Sequence, residues 1–277
     1  MDWNIVYYLL FGLLSGFGEL LPVSSEAHDY LIQALTQFDT RHPALQLAIH
    51  FGCFAAVFLQ YFRRIDHMRR EYRIAALPQH KRKRQPDMMA VMDAKVLLVA
   101  LIPVLVSVLL SAGAYRGLAA LPFMSLVLVL GGIMVYIPQY LPGANKDSRS
   151  LSRKDSLILG LAAGLGVIPG ASRIGSMISV GLIKGCERSY ILDIAMLISL
   201  PALLGLMLVD GFALLSGGMV IQSFSWIYCL IAAISAFAGA WLAMVIMRYL
   251  SMKSNFYNFA YYNWGLGLFS FLVYLMT

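Results

Sequence analysis

The sequence predicts an all-α polytopic membrane protein, with six transmembrane helices and two re-entrant broken-helix segments in an inverted-topology repeat. Three observations carry this. Of 277 residues, 60% are hydrophobic and only 13% charged, where soluble domains run at about 45–50% and about 25%; the mean hydropathy is +0.74. Six apolar stretches reach the roughly 20 residues that a helix needs to cross a bilayer. Two more apolar stretches break at a proline. The balance excludes cytosolic enzymes, nucleic-acid readers and disordered tails.

In chain order, the first half (1–140) holds a broken segment at 5–33, interrupted by Pro22, and spans at 43–62, 95–114 and 118–139. The second half (141–277) holds a broken segment at 157–183, interrupted by Pro169, and spans at 191–214, 226–247 and 256–276. Neither piece of a broken segment is long enough to cross alone, which suits a re-entrant loop buried among other helices. The net charge of +7 is concentrated: nine cations lie between Arg63 and Asp93, and with four acids they give that loop +5. Such a loop marks a cytoplasmic face or touches anionic headgroups, and no nucleic-acid partner is expected. With 63–94, 140–156, 184–190 and 248–255 placed on the cytoplasmic side, those loops and Lys95 hold 18 of the 21 Lys and Arg; Arg41, Arg116 and Arg173 fall elsewhere.

Trp226 and Trp264 fit interfacial belts, and Arg248 and Lys253 fit helix ends at the headgroups. Cys53, Cys186 and Cys229 are far apart and read as small buried hydrophobes. The opening Met1-Asp2-Trp3-Asn4 has no positive n-region, so no cleavable signal peptide is expected.

Each half contains an odd number of spans, so the two must point in opposite directions. A faint internal echo agrees: Gly12, Gly16, Gly18 and Pro22 parallel Gly160, Gly164, Gly166 and Pro169 with one residue of slippage. Ser25 and Ser172 both follow the proline by three. Inverted repeats with broken helices meeting at mid-depth are common in transporters.

Ionisable groups at membrane depth are costly and mark function. The first break carries Glu19, Ser24, Ser25, Glu26, His28 and Asp29; the second carries Gly170, Ser172, Arg173 and Ser176. A half-helix starting after each proline aims free N–H groups and a positive dipole end inward, which with serine hydroxyls and a guanidinium suits an anion. Arg173 matches phosphate geometry bidentately, or pairs with Glu19 or Glu26 to lock the halves. Ser25 and Ser172 are ligand donors or plain N-caps. His28 is a nucleophile or general acid, or a rim histidine bonded to water. Glu19 serves as a base or binds a divalent cation. His42 and His50 have no ligand partner at recognisable spacing.

The two breaks resemble the signatures of the undecaprenyl-diphosphate phosphatase family, the bacitracin-resistance type: approximately E-G-x-T-E-F-L-P-V-S-S-x-G-H and P-G-x-S-R-S-G-A-T. Here they run from Ser15 through Glu19, Pro22, Ser24 and Ser25 to His28, and from Pro169 through Ser172 and Arg173 to Met177. Length and span pattern extend the resemblance over essentially the whole chain. It implies a bacterial inner-membrane enzyme that removes one phosphate from undecaprenyl diphosphate near the outer face. It further implies a polyprenyl (di)phosphate lipid as partner, a divalent cation (Mg²⁺ or Ca²⁺) held by Glu19, and a homodimer; Glu26 and Asp29 are the acids of this chain placed to complete the cation's ligands. Glu19, Ser25, His28 and Arg173 then take the catalytic positions, and Ser24, Ser172, Arg173, Gly170 and Ser176 the substrate-binding ones.

The chain departs from those signatures. The first family glutamate is Ser15, the glycine before the histidine is Ala27, a serine and a threonine of the second motif are Ile174 and Met177, and an upstream glutamine is Ala163. Each lost hydrogen bond is worth about 1–3 kcal/mol in a dry site. Two functions therefore stand: a lipid diphosphate phosphatase, and a non-hydrolytic transporter of polyprenyl phosphates on the same fold.

Overall fold

The computed structural model describes residues 3–36, 38–111, 120–143, 145–216, 225–252 and 255–276. The order of elements repeats: two short helices around a break, then three long ones. The first set is α1 (Trp3–Glu19), α2 (Ser25–Thr36), α3 (Pro43–Ala76), α4 (Met88–Ser111) and α5 (Leu121–Tyr136). The second is α6 (Arg153–Gly164), α7 (Arg173–Ile183), α8 (Arg188–Ser216), α9 (Trp226–Met252) and α10 (Asn258–Met276). Six helices, α3–α5 and α8–α10, are long and apolar enough to cross a membrane; the chain is an all-α polytopic membrane protein. Arg116 and Lys253 lie outside the described residues.

Packing partners respect an exchange of the two halves. Helix α1 packs on α9 as α6 packs on α4, α3 packs on α9 as α8 packs on α4, and α3·α8 and α5·α10 are their own counterparts. Glycines permit the first of these contacts. A Cβ on Gly16 would lie 2.2 Å from the Ala236 carbonyl oxygen, and one on Gly164 would lie 2.1 Å from Ser107 Oγ. In lipid, where burial of apolar surface gives little drive, such close approach is the main source of helix association.

Two expectations are corrected at the basic end. Helix α3 does not stop at residue 62 but continues to Ala76, about 50 Å in all. Its extension carries good helix formers and ion pairs such as Arg70 with Asp66 at i,i+4. Arg248 does not simply face headgroups: it reaches Asp193 Oδ1 at 3.3 Å. Asp193 also accepts from Tyr61 (2.8 Å) and Arg64, while Arg64 bonds Asp93 at 2.9 Å, tying α3, α4, α8 and α9 together. Cys53, Cys186 and Cys229 are buried free thiols.

Overpacking the α1·α9 contact costs about 1–3 kcal/mol. Gly16→Val, and equally Gly164→Val on the α6·α4 side, is expected to lower the thermal unfolding midpoint of the detergent-solubilised protein, whereas Gly131→Ala, where an added Cβ meets nothing within 4 Å, leaves it unchanged.

Candidate active site

Each break leaves backbone groups that lipid cannot satisfy, and the neighbouring segments supply the partners. In the first break Ser24 is the N-cap of α2, its Oγ accepting from Ala27 N at 3.2 Å. The Leu21 carbonyl accepts from Ser172 Oγ of the second break at 3.2 Å, and the Pro22 carbonyl from Asn263 Nδ2 of α10 at 3.0 Å. In the second break Ser172 caps α7, accepting from Gly175 N at 3.0 Å. Gly170 turns the chain at φ +92°, with its missing Cβ aimed 2.8 Å from the Met124 carbonyl oxygen, so only glycine fits.

The breaks thereby meet, and their charges with them. Arg173 Nη2 donates to Glu19 Oε1, and Ser25 Oγ donates to Glu19 Oε2 at 2.5 Å. The ion pair is buried on both sides, and Arg173 Nε has no hydrogen-bond partner among the described residues. Because Ser24 rather than Ser25 caps α2, the Ser25 hydroxyl is left for the site.

This triad lines a cavity of about 250 Å³, with Glu26, Asp29, His50 and Asp210 on its other walls. Asp29 accepts from Ser15 Oγ (3.0 Å) and Gln46 Nε2 (2.8 Å), so a carboxylate from α2 stands beside position 15. His50 of α3 bonds Asp210 of α8 through Nδ1 at 2.7 Å.

Four residues named from sequence line no part of the cavity beside Ser25, Glu19 and Arg173. Ser24 and Ser172 serve as caps, Gly170 as a turn, and Ser176 lies buried in the first turn of α7. His28 also faces away: Nδ1 pairs with the Ser24 carbonyl at 2.6 Å and Nε2 with the Tyr262 hydroxyl at 2.5 Å. Ile174, Met177 and Ala163 sit in the main apolar core and Ala27 packs on Met124 and Leu128, so these substitutions strip nothing from the cavity wall. His42 caps α3, accepting from Ala44 N at 3.2 Å. Sequence reasoning set His50 aside for want of a partner at recognisable spacing and missed Asp210, Gln46 and Tyr262, although an Asp and a His inside apolar spans carry the same signal as Glu19.

A divalent cation requires several oxygen ligands free to turn toward it. Both oxygens of Glu19 are engaged by Arg173 and Ser25, and both of Asp29 by Ser15 and Gln46. Among the described residues no three His, Cys, Asp or Glu side chains are grouped to hold a metal ion. The arrangement does not fit a dedicated cation site built on Glu19 with Glu26 or Asp29.

Fold and cavity together define a multi-pass helical membrane protein whose charged groups assemble where two broken helix pairs meet. The model of the bacitracin resistance protein BacA family matches residues 8–269, and the chain belongs to that family. It is 27% identical over 269 residues to the undecaprenyl-diphosphatase of Halothermothrix orenii, covering 96% of each chain. It is 34% identical over 276 residues to undecaprenyl-diphosphatase 3 of Frankia alni, covering 93% of this chain and 90% of that one. With the undecaprenyl-diphosphatase of Methanobrevibacter smithii it shares 29% over 281 residues.

Breaking a buried pair by neutralising one partner costs about 3–5 kcal/mol, because the other charge is stranded. Glu19→Gln and Arg173→Gln are each expected to lower stability in denaturant titrations. The double variant is expected to lose clearly less than the sum of the two.

Proposed function

We propose that this protein hydrolyses the terminal phosphate of undecaprenyl diphosphate, releasing undecaprenyl phosphate for reuse as the carrier lipid of cell-wall synthesis. The observation that carries the reading is the Glu19–Arg173–Ser25 constellation in a cavity at the junction of two half-helix pairs, in a chain whose relatives are named undecaprenyl-diphosphatase. The remaining guanidinium donors of Arg173 and the positive dipole ends of α2 and α7 stabilise developing phosphoryl charge. The Ser25 hydroxyl turns from Glu19 to a phosphoryl oxygen when the headgroup enters. Glu19 orients both donors, its two oxygens taken by the guanidinium and the hydroxyl.

The cavity is lined by the beginning of α3 and the end of α8, whereas the basic residues 63–84 lie beyond the other end of the apolar part of α3, which supports a site facing the outer side of the bacterial inner membrane. The odd span count of each half and the exchange symmetry of the packing support an inverted repeat of 1–140 and 141–277. That same symmetry favours the second reading, a transporter moving a polyprenyl phosphate between leaflets. A homodimer remains part of the proposal through the family resemblance alone.

Phosphate release from undecaprenyl diphosphate by the purified protein, with Mg²⁺, with Ca²⁺ and with EDTA, decides between them. Release is expected, with Arg173→Ala lowering kcat by at least about 10²-fold. No release, with Arg173-dependent binding of the lipid phosphate, leaves the transporter. The three conditions also read the expectation of a divalent cation directly.

Glu26 stands in the cavity with no hydrogen-bond or ion-pair partner among the described residues. A lone carboxylate there repels a diphosphate, so Glu26→Gln is expected to lower KM by about threefold, roughly 0.6 kcal/mol of repulsion removed. A raised KM in Mg²⁺ alone would show instead that Glu26 meets the substrate through a cation.

A further inference from the structure

We infer that His50, held by Asp210, is the general base that takes the proton of the attacking water; this rests on the phosphatase reading above. The hydrolysis needs a proton acceptor; three ionisable groups of the first break are already committed, and the fourth, Glu26, lines the cavity with no second group to fix its orientation. Glu19 is committed to Arg173 and Ser25. His28 has both ring nitrogens paired and lies outside the cavity lining. Asp29 has both oxygens occupied by Ser15 and Gln46.

His50 differs on each count. It lines the cavity that Glu19, Ser25 and Arg173 line. Its Nδ1 lies 2.7 Å from Asp210 Oδ2 and donates to it, which in the neutral imidazole leaves the lone pair on Nε2. Among the described residues no protein group bonds Nε2. A carboxylate behind an imidazole fixes its tautomer and orientation and stabilises the imidazolium once it forms. The two residues come from different halves, His50 from the second turn of α3 and Asp210 from near the end of α8, and the antiparallel packing of those helices sets their distance.

The step balances as follows. The water oxygen bonds to the terminal phosphorus while the bond from that phosphorus to the bridging oxygen breaks. The electron pair of that bond leaves with the lipid monophosphate. The water proton passes to His50 Nε2 and from there to the released phosphate, returning the imidazole to its starting form.

The test is steady-state phosphate release from undecaprenyl diphosphate by the full-length protein, comparing wild type with His50→Gln, His50→Ala and Asp210→Asn, together with their KM values and thermal midpoints. General-base removal is expected to lower kcat by about 10²- to 10⁴-fold in both His50 variants, with KM within about threefold. Asp210→Asn is expected to lose less. Free imidazole, small enough for a cavity of about 250 Å³, is expected to restore part of the kcat of His50→Ala and none of that of Arg173→Ala, which a merely structural role for His50 would not produce. Wild-type kcat in His50→Gln, a change confined to KM, or a kcat loss in Glu26→Gln in its place overturns the inference and leaves the phosphatase reading standing. A wild-type protein that binds the lipid and releases no phosphate overturns both.

Discussion

The Glu19–Arg173 ion pair is the interaction on which the centre of this molecule depends. An arginine at membrane depth is tolerated only against a counter-charge, and a lone carboxylate there is no cheaper. Because Glu19 closes α1 and Arg173 opens α7, the pair binds the end of one half-helix to the start of another across the two halves of the chain. Backbone carbonyls of the first break then find donors from the second half, Ser172 of the second break for Leu21 and Asn263 of α10 for Pro22. Charge pairing and backbone satisfaction are one arrangement, so a substitution in either partner disturbs both.

The scaffold around this pair is nearly symmetric and the chemistry is not. Gly12 and Gly16 bring α1 against α9 as Gly160 and Gly164 bring α6 against α4. Aligned on their prolines, Ser25 matches Ser172 and Glu26 matches Arg173. One copy of the break is acidic and the other basic, and the two are complementary where they meet. The α3·α8 crossing repeats the theme at its two ends, with His50–Asp210 beside the cavity and Arg64–Asp193 at the basic end.

Much of this was legible in the sequence because its physical cause is local. Hydropathy and proline placement give the six spans and two breaks, and a charge at a break is expensive wherever its partner lies, which marked Glu19 and Arg173. What escaped depends on three-dimensional neighbours. The charged extension of α3 reads as a loop when hydropathy alone is followed. Which of two adjacent serines caps α2 is fixed by where the helix begins, one residue of phase. His28 turned toward Tyr262, a residue 234 positions away, and no spacing rule reports that. His50 and Asp210 lie 160 positions apart in different apolar spans, and the cost of burying each was the available signal.

The departures from the family signatures separate by the same physical test. Ile174, Met177, Ala163 and Ala27 are in packed apolar surroundings, where a hydroxyl or amide would need a partner that a methyl does not. Their exchange trades hydrogen bonds for packing away from the cavity. Ser15 is the one departure on the cavity wall, and there the structure returns a carboxylate: Asp29, from the neighbouring half-helix, takes the Ser15 hydroxyl as its donor. A carboxylate of α2 thus stands beside position 15 of α1. Asp29 is held by Gln46 of α3 as well, so this carboxylate also links the broken segment to the helix that carries His50. The first break is in this way anchored on both sides, by Arg173 through Glu19 and by α3 through Asp29.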